Sequence, residues 1–278
     1  MARYPSKAME SKSGRLKLLE STPTELLIHD ESGSCPYLPE QTARLPMRLP
    51  VRPLSRDELG ERLAAGDRRQ GLLLYRPNCP SCQACEAIRL DATTFLGSRT
   101  QRRIHRVGRR ELIVSIGPPE VDHRRVALYN AHKYGRRLLG DGESIDAAGY
   151  AAFLVDSCAD SFELRYHLDA RLVGVAICDR SSDAISAVYT YYDPAVARLS
   201  IGTFSIMEQL ALCRRWSLRW LYLGLFVHGC EAMQYKARFI PHERLIQDHW
   251  TLVTEPPPRL GRAEYPNASG SSNDSEEA

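Results

Sequence analysis

The clearest hydrophobic pattern in the chain lies between residues 184 and 239. Residues 184–192 read AISAVYTYY, a β-branched and aromatic run that predicts a strand, and the Asp-Pro pair after it ends the strand because proline cannot continue a ladder. A helix is predicted next, with apolar residues at helical spacing at Phe204, Met207 and Leu210. Residues 220–225 are almost all apolar, which indicates a buried strand inside a sheet.

The order strand, loop, helix, strand decides where we expect the active site. It directs the N-terminus of the helix, with its free N–H groups, toward the open ends of the strands. Ser200 and Thr203 are candidate caps for this helix, and Gly202 allows a ligand to come close to the backbone. We therefore expect a phosphate or an ester carbonyl oxygen to bind near Gly202 and Thr203.

The rest of the chain alternates short strands and helices, which predicts an α+β fold. Strands are predicted at 26–29, 72–75, 88–90, 112–116, 162–166, 171–178 and 243–246. Helices are predicted from a Ser55–Glu58 capping box to Gly66, after Ser98, at 121–139 and at 145–158. We expect a flexible N-terminus (1–20), a cysteine-containing domain (21–117), a second domain (118–252) and a disordered tail (253–278).

The composition is that of an ordinary globular protein. The chain has 278 residues, of which 43% are hydrophobic and 26% charged. It contains no apolar run of 18 residues and no signal-peptide pattern, so we expect a cytoplasmic protein with no membrane partner. In a reducing compartment the eight cysteines are expected to be buried, metal-bound or reactive instead of disulfide-paired.

A basic segment follows Ser98. Net charge is only +3, but residues 99–110 hold six arginines, with Arg89 just upstream, one histidine and no acid. Such a stripe is either a phosphate-binding surface or simply a solvated helix face. The arginines expected to contact phosphates are Arg99, Arg102, Arg103 and Arg106.

Three cysteines are spaced as C-x2-C-x2-C, at Cys79, Cys82 and Cys85. This spacing lets consecutive thiolates face one centre, and three thiolates are one short of a closed zinc site or an iron–sulfur site. Cys35, in a proline-flanked loop, is the candidate fourth ligand. The alternative is a tight turn of reduced cysteines with no metal.

An antiparallel meander followed by helix, strand, helix and strand is typical of the N-acetyltransferase (GNAT-like) fold. In that fold a [QR]-x-x-G-x-[GA] loop holds the pyrophosphate of acetyl-coenzyme A on backbone amides. Residues 198–204 read RLSIGTF, in which the spacing is wrong and the second small residue is missing. We therefore expect a donor other than coenzyme A.

Several separate motifs between Leu26 and Trp250 carry a family resemblance. They are CPYLP at 35–39, YRP at 75–77 with the three cysteines after it, QRR at 101–103, AVY at 187–189, SIGT at 200–203, LYLG at 221–224, GC at 229–230 and MQYKARF at 233–239. On these motifs the chain resembles the arginyl-tRNA–protein transferases, and more closely their bacterial branch, the aspartate/glutamate leucyltransferases. One departure lies in the mid-chain helix, where the family usually carries an Arg-His pair followed by a glycine and then a methionine. This chain has Arg136-Arg137 there, with Gly140 and no methionine, and His132 a turn earlier where the family's aromatic residue is expected.

The resemblance implies the reaction and its partners. An aminoacyl-tRNA gives leucine to the α-amino group of a protein that begins with Asp or Glu, and the product enters N-end rule degradation. Residues 118–252 would then be a GNAT-like aminoacyl transferase domain. The resemblance also implies that the four cysteines hold an iron–sulfur cluster, with zinc as the alternative, and that the transfer itself needs no cofactor.

Candidate roles follow from this chemistry. Asp193 is expected to hold the incoming ammonium or relay its proton, and Tyr189 and Tyr222 to donate hydrogen bonds to the reacting carbonyl or ribose. Lys236 and Arg238 are expected to bind the acidic side chain of the acceptor or a tRNA phosphate. Asp193 could instead be a turn former, and each tyrosine a core residue.

Three alternative functions remain open from the sequence. The first is an arginyl-tRNA–protein transferase, which would need an acidic pocket for the guanidinium of its donor. The others are a coenzyme-A-dependent N-acetyltransferase and a non-catalytic RNA-binding protein.

Overall fold

The computed structural model describes residues 17–136 and 144–256. The expected flexible N-terminus and disordered tail lie mostly outside this range, as does the end of the predicted helix at 121–139. Where the two expected termini enter the described part, Lys17–Leu19 and His249–Val253 are strands.

Residues 17–75 form a small antiparallel sheet, a hairpin and one helix. The strands are β1 (Lys17–Leu19), β2 (Glu25–His29), β3 (Ser32–Ser34), β4 (Thr42–Arg44), β5 (Met47–Pro50), β6 (Arg68–Gln70) and β7 (Leu73–Tyr75), and the helix is α1 (Arg56–Ala64). The small sheet has the order β1-β2-β5-β7-β6, while β3 pairs only with β4. The predicted capping box of α1 is confirmed, with both the Ser55 and the Glu58 hydrogen bonds present.

The remaining strands form one eight-stranded mixed sheet. They are β8 (Cys85–Asp91), β9 (Leu112–Gly117), β10 (Ser161–Leu168), β11 (Arg171–Arg180), β12 (Ala184–Tyr192), β13 (Trp220–Val227), β14 (His242–Ile246) and β15 (His249–Val253). Their order is β15-β14-β8-β13-β12-β11-β10-β9. The predicted meander is confirmed as β10-β11-β12, and β13 joins β12 in parallel. Both β8 and β9 come from residues 21–117 yet lie in this sheet.

Helices cover both faces of the main sheet. They are α2 (Arg99–Glu111), α3 (His123–Gly135), α4 (Ala147–Tyr150), α5 (Ile201–Arg215) and α6 (Glu231–Gln234). Ile177 and Cys178 are neighbours on β11 and point to opposite faces. Ile177 packs with Tyr129 of α3 and Tyr150 of α4, whereas Cys178 lies in the cluster that contains Phe204 of α5. The α+β class is therefore confirmed.

Two predicted helices differ from the structure. The helix predicted at 145–158 is the single turn α4 followed by a π-helical turn, Ala151–Val155. The helix predicted at 121–139 begins at His123, where Asp122 caps it, and its regular part ends at Gly135. None of the helices in residues 17–136 and 144–256 combines the length and the apolar character needed to cross a lipid bilayer.

Candidate active site

The parallel ladder between β12 and β13 is short. It joins Ala184–Ser186 to Trp220–Tyr222 and then ends, although both strands continue toward their carboxyl ends. On its other side β13 pairs with β8 through an irregularity between Tyr222 and Leu225, and Gly224 inside it has a φ of +85°. A gap between the carboxyl ends of β12 and β13 is the candidate active site, and we call it the β12–β13 gap.

Helix α5 begins beside the end of β12, as the sequence predicts. Ser200 precedes it in a left-handed conformation (φ 49°, ψ 48°) and makes no side-chain cap, so the prediction of a Ser200 cap was wrong. A Cβ at Gly202 would meet nothing closer than the Tyr192 ring, 3.7 Å away. Arg136 Nη1 donates to the Tyr192 hydroxyl at 3.1 Å. The Tyr192 ring, and Arg136 through its hydrogen bond to that ring's hydroxyl, therefore lie next to the first turn of α5 and its free N–H groups.

Asp193 is tied into the turn that connects β12 to α5. Its Oδ1 accepts a hydrogen bond from the Ala195 N–H at 2.8 Å, and its Oδ2 forms an ion pair with Arg171. The side chain is 18% exposed. Both carboxylate oxygens are thus occupied by neighbours that hold the turn in place.

Tyr189 and Tyr222 lie in different clusters. Tyr189 packs 5.6 Å from the rings of both Tyr129 and Phe153, below α3. Tyr222 is 1% exposed, and its hydroxyl accepts from Arg89 Nη1 at 3.2 Å. Burial raises the pKa of both tyrosines, so each is protonated at neutral pH.

Lys236 and Arg238 share one 3-10 turn, Tyr235–Arg238, but their side chains lie in different environments. Lys236 is 7% exposed, and its Nζ donates to the Leu225 carbonyl at 2.6 Å. Burial, and then the charge of Arg68, lowers the pKa of Lys236 to about 7. Arg238 is exposed, and its carbonyl accepts from Gln101 at the start of α2 at 3.1 Å.

The arginines of α2 form an exposed basic surface. Arg102 donates to the Gly97 carbonyl, and Arg109 pairs with Glu208 at 2.7 Å. Among the described residues, no carboxylate pairs with Arg99, Arg103 or Arg106. Because Gln101 binds the Arg238 carbonyl, this basic surface adjoins the 3-10 turn that carries Lys236 and Arg238.

The predicted cysteine ligands gather around Cys85. The pKa of Cys85 is raised to about 12, first by burial and then by the thiols of Cys79, Cys35, Cys82 and Cys230. Within the described part of the chain, however, no three His, Cys, Asp or Glu side chains are placed so that they could hold a metal ion. Donors suited to zinc or iron–sulfur are close together here, but they are not arranged as a ligand set.

Sequence reasoning missed two residues around the gap, Arg68 and Tyr192, and it named Arg136 only as a departure from the family pattern, with no role at the site. Arg68 lies in β6, whose polar sequence RRQ gives no strand signal. Its Nη2 donates to the Gly224 carbonyl at 2.8 Å. Tyr192 belongs to the predicted strand, but only the start of α5 shows that its ring lies near Gly202.

Comparison with known proteins places the chain in a family. Two family models match it, the arginine-tRNA-protein transferase N terminus over residues 33–103 and the C terminus over residues 124–246. An aspartate/glutamate leucyltransferase of Pseudoalteromonas atlantica is 34% identical over 227 residues, which is 81% of this chain and 96% of that protein. One of Aeromonas hydrophila is 36% identical over 80% of this chain and 93% of its own length.

Two solved structures resemble this chain at low sequence identity. L-PGS from Bacillus licheniformis aligns with a TM-score of 0.44 and 11% identity, over 62% of this chain and 59% of its own. FemX aligns with a TM-score of 0.41 and 8% identity, over 62% and 60%. The sequence relatives carry the conclusion: this chain belongs to the arginine-tRNA-protein transferase family and is similar to its bacterial aspartate/glutamate leucyltransferases.

Proposed function

We propose that this protein transfers leucine from leucyl-tRNA to the N-terminal amine of proteins that begin with Asp or Glu. The observation that carries the proposal is the identity of 34–36% with proteins of that name over about four-fifths of the chain. The product would be a substrate for N-end rule degradation, and the cytoplasm is the compartment where charged tRNA and such substrates meet.

The proposed chemistry is aminolysis of an ester. The free α-amine attacks the leucyl carbonyl, a tetrahedral oxyanion forms, and the ribose oxygen of the tRNA leaves and takes up a proton. The amine has a pKa near 8, so it must lose a proton before or during attack. No metal or cofactor is needed to balance these steps. Zinc or iron–sulfur binding at Cys35, Cys79, Cys82 and Cys85 is a separate structural proposal, tested by metal analysis of the purified protein.

The proposed residue roles combine backbone amides at the start of α5 with side chains in or next to β12 and β13. The amides of Gly202 and Thr203 would receive the oxyanion or the terminal phosphate of the tRNA. Asp193 would hold the incoming ammonium, exchanging its ion pair with Arg171 for this one. Tyr189 and Tyr222 would serve as protonated hydroxyl donors.

The tRNA itself would lie along α2. Arg99, Arg102, Arg103, Arg106 and Arg238 are the proposed contacts to its backbone, since exposed guanidinium groups suit phosphates. The adjacency of α2 to the 3-10 turn would bring the acceptor end to the β12–β13 gap.

An arginyl donor is the alternative within the family. Arginine would need a carboxylate that is free to bind its guanidinium. The side chains of Tyr189 and Phe153, whose rings lie 5.6 Å apart near the end of β12, are aromatic and offer a guanidinium no carboxylate. This favours leucine as the donor.

The domain proposals rest on the same features. The parallel β12–β13 pair with α5 between its strands supports a GNAT-like transferase domain at 118–252, and the gathered thiols support a cysteine-containing domain at 21–117. A coenzyme-A-dependent acetyltransferase remains the rival on this fold, although the loop at 198–204 lacks the pyrophosphate signature. A non-catalytic RNA-binding protein is the other rival.

The deciding experiment offers labelled leucyl-tRNA and arginyl-tRNA to three reporter proteins that begin with Asp, Glu and Ala. We expect label on the Asp and Glu reporters with leucyl-tRNA alone. Label from arginyl-tRNA would assign the alternative donor. A rise in Tm with acetyl-coenzyme A would support the acetyltransferase, and tRNA binding without any transfer would support the RNA-binding protein.

A further inference from the structure

Arg68 is a buried cation without a carboxylate partner. The residue is 5% exposed. Its Nη1 donates to the Asp67 carbonyl and its Nη2 to the Gly224 carbonyl, both at 2.8 Å, while its Nε has no partner. The nearby carboxylate of Asp67 is already taken, because it pairs with Arg48 at 2.7 Å and faces Arg76 at 3.9 Å.

Lys236 reaches the next carbonyl along the same strand. Its Nζ donates to the Leu225 carbonyl at 2.6 Å and contacts the Met233 sulfur at 3.3 Å. Within residues 17–136 and 144–256, no carboxylate forms an ion pair with either Lys236 or Arg68. Two buried cations from distant parts of the chain therefore meet at Gly224 and Leu225, held only by neutral groups.

This arrangement is costly in the free protein. A charge removed from water is strongly destabilising unless an opposite charge accompanies it, and an arginine cannot escape the cost by losing its proton. Carbonyl contacts satisfy hydrogen bonds but leave the net charge uncompensated. An anion that entered the site would supply the missing charge and bind with two charge-assisted partners.

Gly224 is the backbone position next to both cations, since its carbonyl accepts from Arg68 and its Cα faces Lys236. A Cβ at this position would lie 3.5 Å from Lys236 Nζ, so any side chain would be directed at the ammonium group. The φ of +85° also favours glycine here. Gly224 lies just beyond Tyr222, where the β12–β13 ladder ends.

We propose that Arg68 and Lys236 form the pocket that receives the side-chain carboxylate of the acceptor's N-terminal residue. This proposal rests on the proposed function and names the specificity pocket of the same site. Arg68 offers a carboxylate the N–H groups that its two carbonyl contacts leave over, with the unpartnered Nε–H first among them. Lys236 adds a point charge on a flexible stem, which suits side chains of two lengths, Asp and Glu.

A carboxylate fits this pocket better than a tRNA phosphate does. A phosphodiester is flanked by two riboses and needs cations that lie at the surface, as the arginines of α2 do. Arg68 and Lys236 are each less than a tenth exposed. The end of a single acidic side chain can enter such a site, whereas a nucleic-acid backbone cannot.

The test measures peptide binding separately from transfer. Short peptides that begin with Asp, or with Asn as the neutral isostere, are titrated into the full-length protein, its Arg68→Gln and Lys236→Met variants, and Arg52→Gln. Arg52→Gln is the matched control. It also removes one positive charge, but the Arg52 side chain is 53% exposed and pairs with Glu58. The Kd of leucyl-tRNA and the Tm are measured for every variant.

We expect the wild-type protein and Arg52→Gln to prefer the Asp peptide. In Arg68→Gln and Lys236→Met the affinity for Asp should fall on the order of 100-fold, with little change for Asn, for leucyl-tRNA or in Tm. Equal binding of Asp and Asn by the wild-type protein would overturn the pocket. So would variants that lose tRNA affinity and keep the Asp preference, because that result would assign the cations to phosphate.

The two proposals fail differently. If the wild-type protein binds the Asp peptide preferentially but transfers no amino acid from any tRNA, the proposed function is wrong and the carboxylate pocket is still supported. If the protein transfers leucine equally well to Asp and Asn acceptors, the carboxylate pocket is wrong and the transferase function is still supported. If Arg68→Gln lowers the Tm, Lys236→Met alone decides the outcome.

Discussion

Arg69 and Asp179 form a two-armed ion pair between the small sheet and the main sheet. Arg69 Nε lies 2.7 Å from Asp179 Oδ2, and Nη2 lies 2.9 Å from Oδ1. The remaining nitrogen donates to the carbonyls of Gly71 and Asp156. The side chains are 2% and 1% exposed. One residue earlier, Arg68 has no such partner, so adjacent arginines on β6 differ in how their charges are balanced.

Removal of one partner of this pair should destabilise the protein strongly. In Arg69→Ala the Asp179 carboxylate stays buried without its cation, and we expect the free energy of unfolding to fall by about 3–5 kcal/mol. Urea unfolding measures this. The double variant Arg69→Met with Asp179→Leu leaves no lone charge and should recover most of the loss. A single variant within about 1 kcal/mol of wild type would show that the ion pair does not hold the sheets together.

Two glycines in helices should respond in opposite ways to alanine. A Cβ at Gly108 of α2 would lie 2.2 Å from the Phe204 ring, inside the core between α2 and α5. Gly108→Ala should therefore destabilise by about 1–3 kcal/mol, although alanine is the better helix former by about 1 kcal/mol. Urea unfolding of the purified variants measures both effects.

Gly202→Ala is the matched variant in α5. The nearest atom to its Cβ would be 3.7 Å away, an ordinary contact, so stability should stay level or rise by up to about 1 kcal/mol. If ligand approaches the Gly202 amide, leucine transfer should nevertheless fall at least about tenfold, since each 1.4 kcal/mol of lost contact is a factor of ten. Full activity in a stable Gly202→Ala protein would show that no ligand binds at the first turn of α5.

The order of elements from β10 to β13 could be predicted because local patterns agree with the tertiary fold there. Alternation, the Asp-Pro stop and the apolar run of β13 each mark a boundary by local chemistry. The helix predicted at 145–158 failed because its apolar spacing is shared by a helical turn and a π-helical turn. β6 has no hydrophobic signal, since Arg69 is buried by pairing with a residue 110 positions away.

The candidate site was predictable only in part, for the same reason. Gly202 and Lys236 lie in local motifs, so the sequence could name them as candidates. The proximity of Lys236 to Arg68 could not be predicted, because it arises from contacts of both side chains with neighbouring carbonyls of β13 and not from any spacing in the sequence. The motif containing Lys236 and Arg238 also does not indicate that the Lys236 side chain is buried and the Arg238 side chain exposed.

Acid should destabilise the protein through His132. Burial lowers the pKa of this imidazole to about 4, and its Nδ1 lies 3.2 Å from the Tyr192 nitrogen and 3.1 Å from the Tyr192 carbonyl oxygen. The unfolded state takes up a proton near pH 6.5 and the folded state only near pH 4. Stability is therefore complete above pH 6.5 and is lost as the pH falls to 4, by at most about 3 kcal/mol.

The check for His132 is urea unfolding at several pH values between 4 and 7. His132→Asn keeps an acceptor for the Tyr192 N–H but does not titrate in this range, so its stability should fall less steeply than that of wild type. The difference between the two slopes isolates the histidine from the carboxylates, which titrate in both proteins. Parallel slopes would mean that His132 is protonated in the folded protein at pH values well above 4.

Lys236 should give acceptor use a bell-shaped pH dependence. The charged groups and thiol that face it are Arg68 from β6 and Cys230 from the loop after β13, and its pKa of about 7 lies below the usual value. The acceptor amine becomes reactive as it loses its proton near pH 8, whereas Lys236 loses the charge that would bind the carboxylate above pH 7. The kcat/KM for an Asp acceptor should therefore peak near pH 7.5.

Two variants of Lys236 test this explanation of the pH profile. Lys236→Arg keeps its charge and should move the falling limb to higher pH, while Lys236→Met should lower kcat/KM and let it rise to a plateau above pH 8. A wild-type profile that rises steadily through pH 9 would show that the charge on Lys236 has no part in acceptor binding.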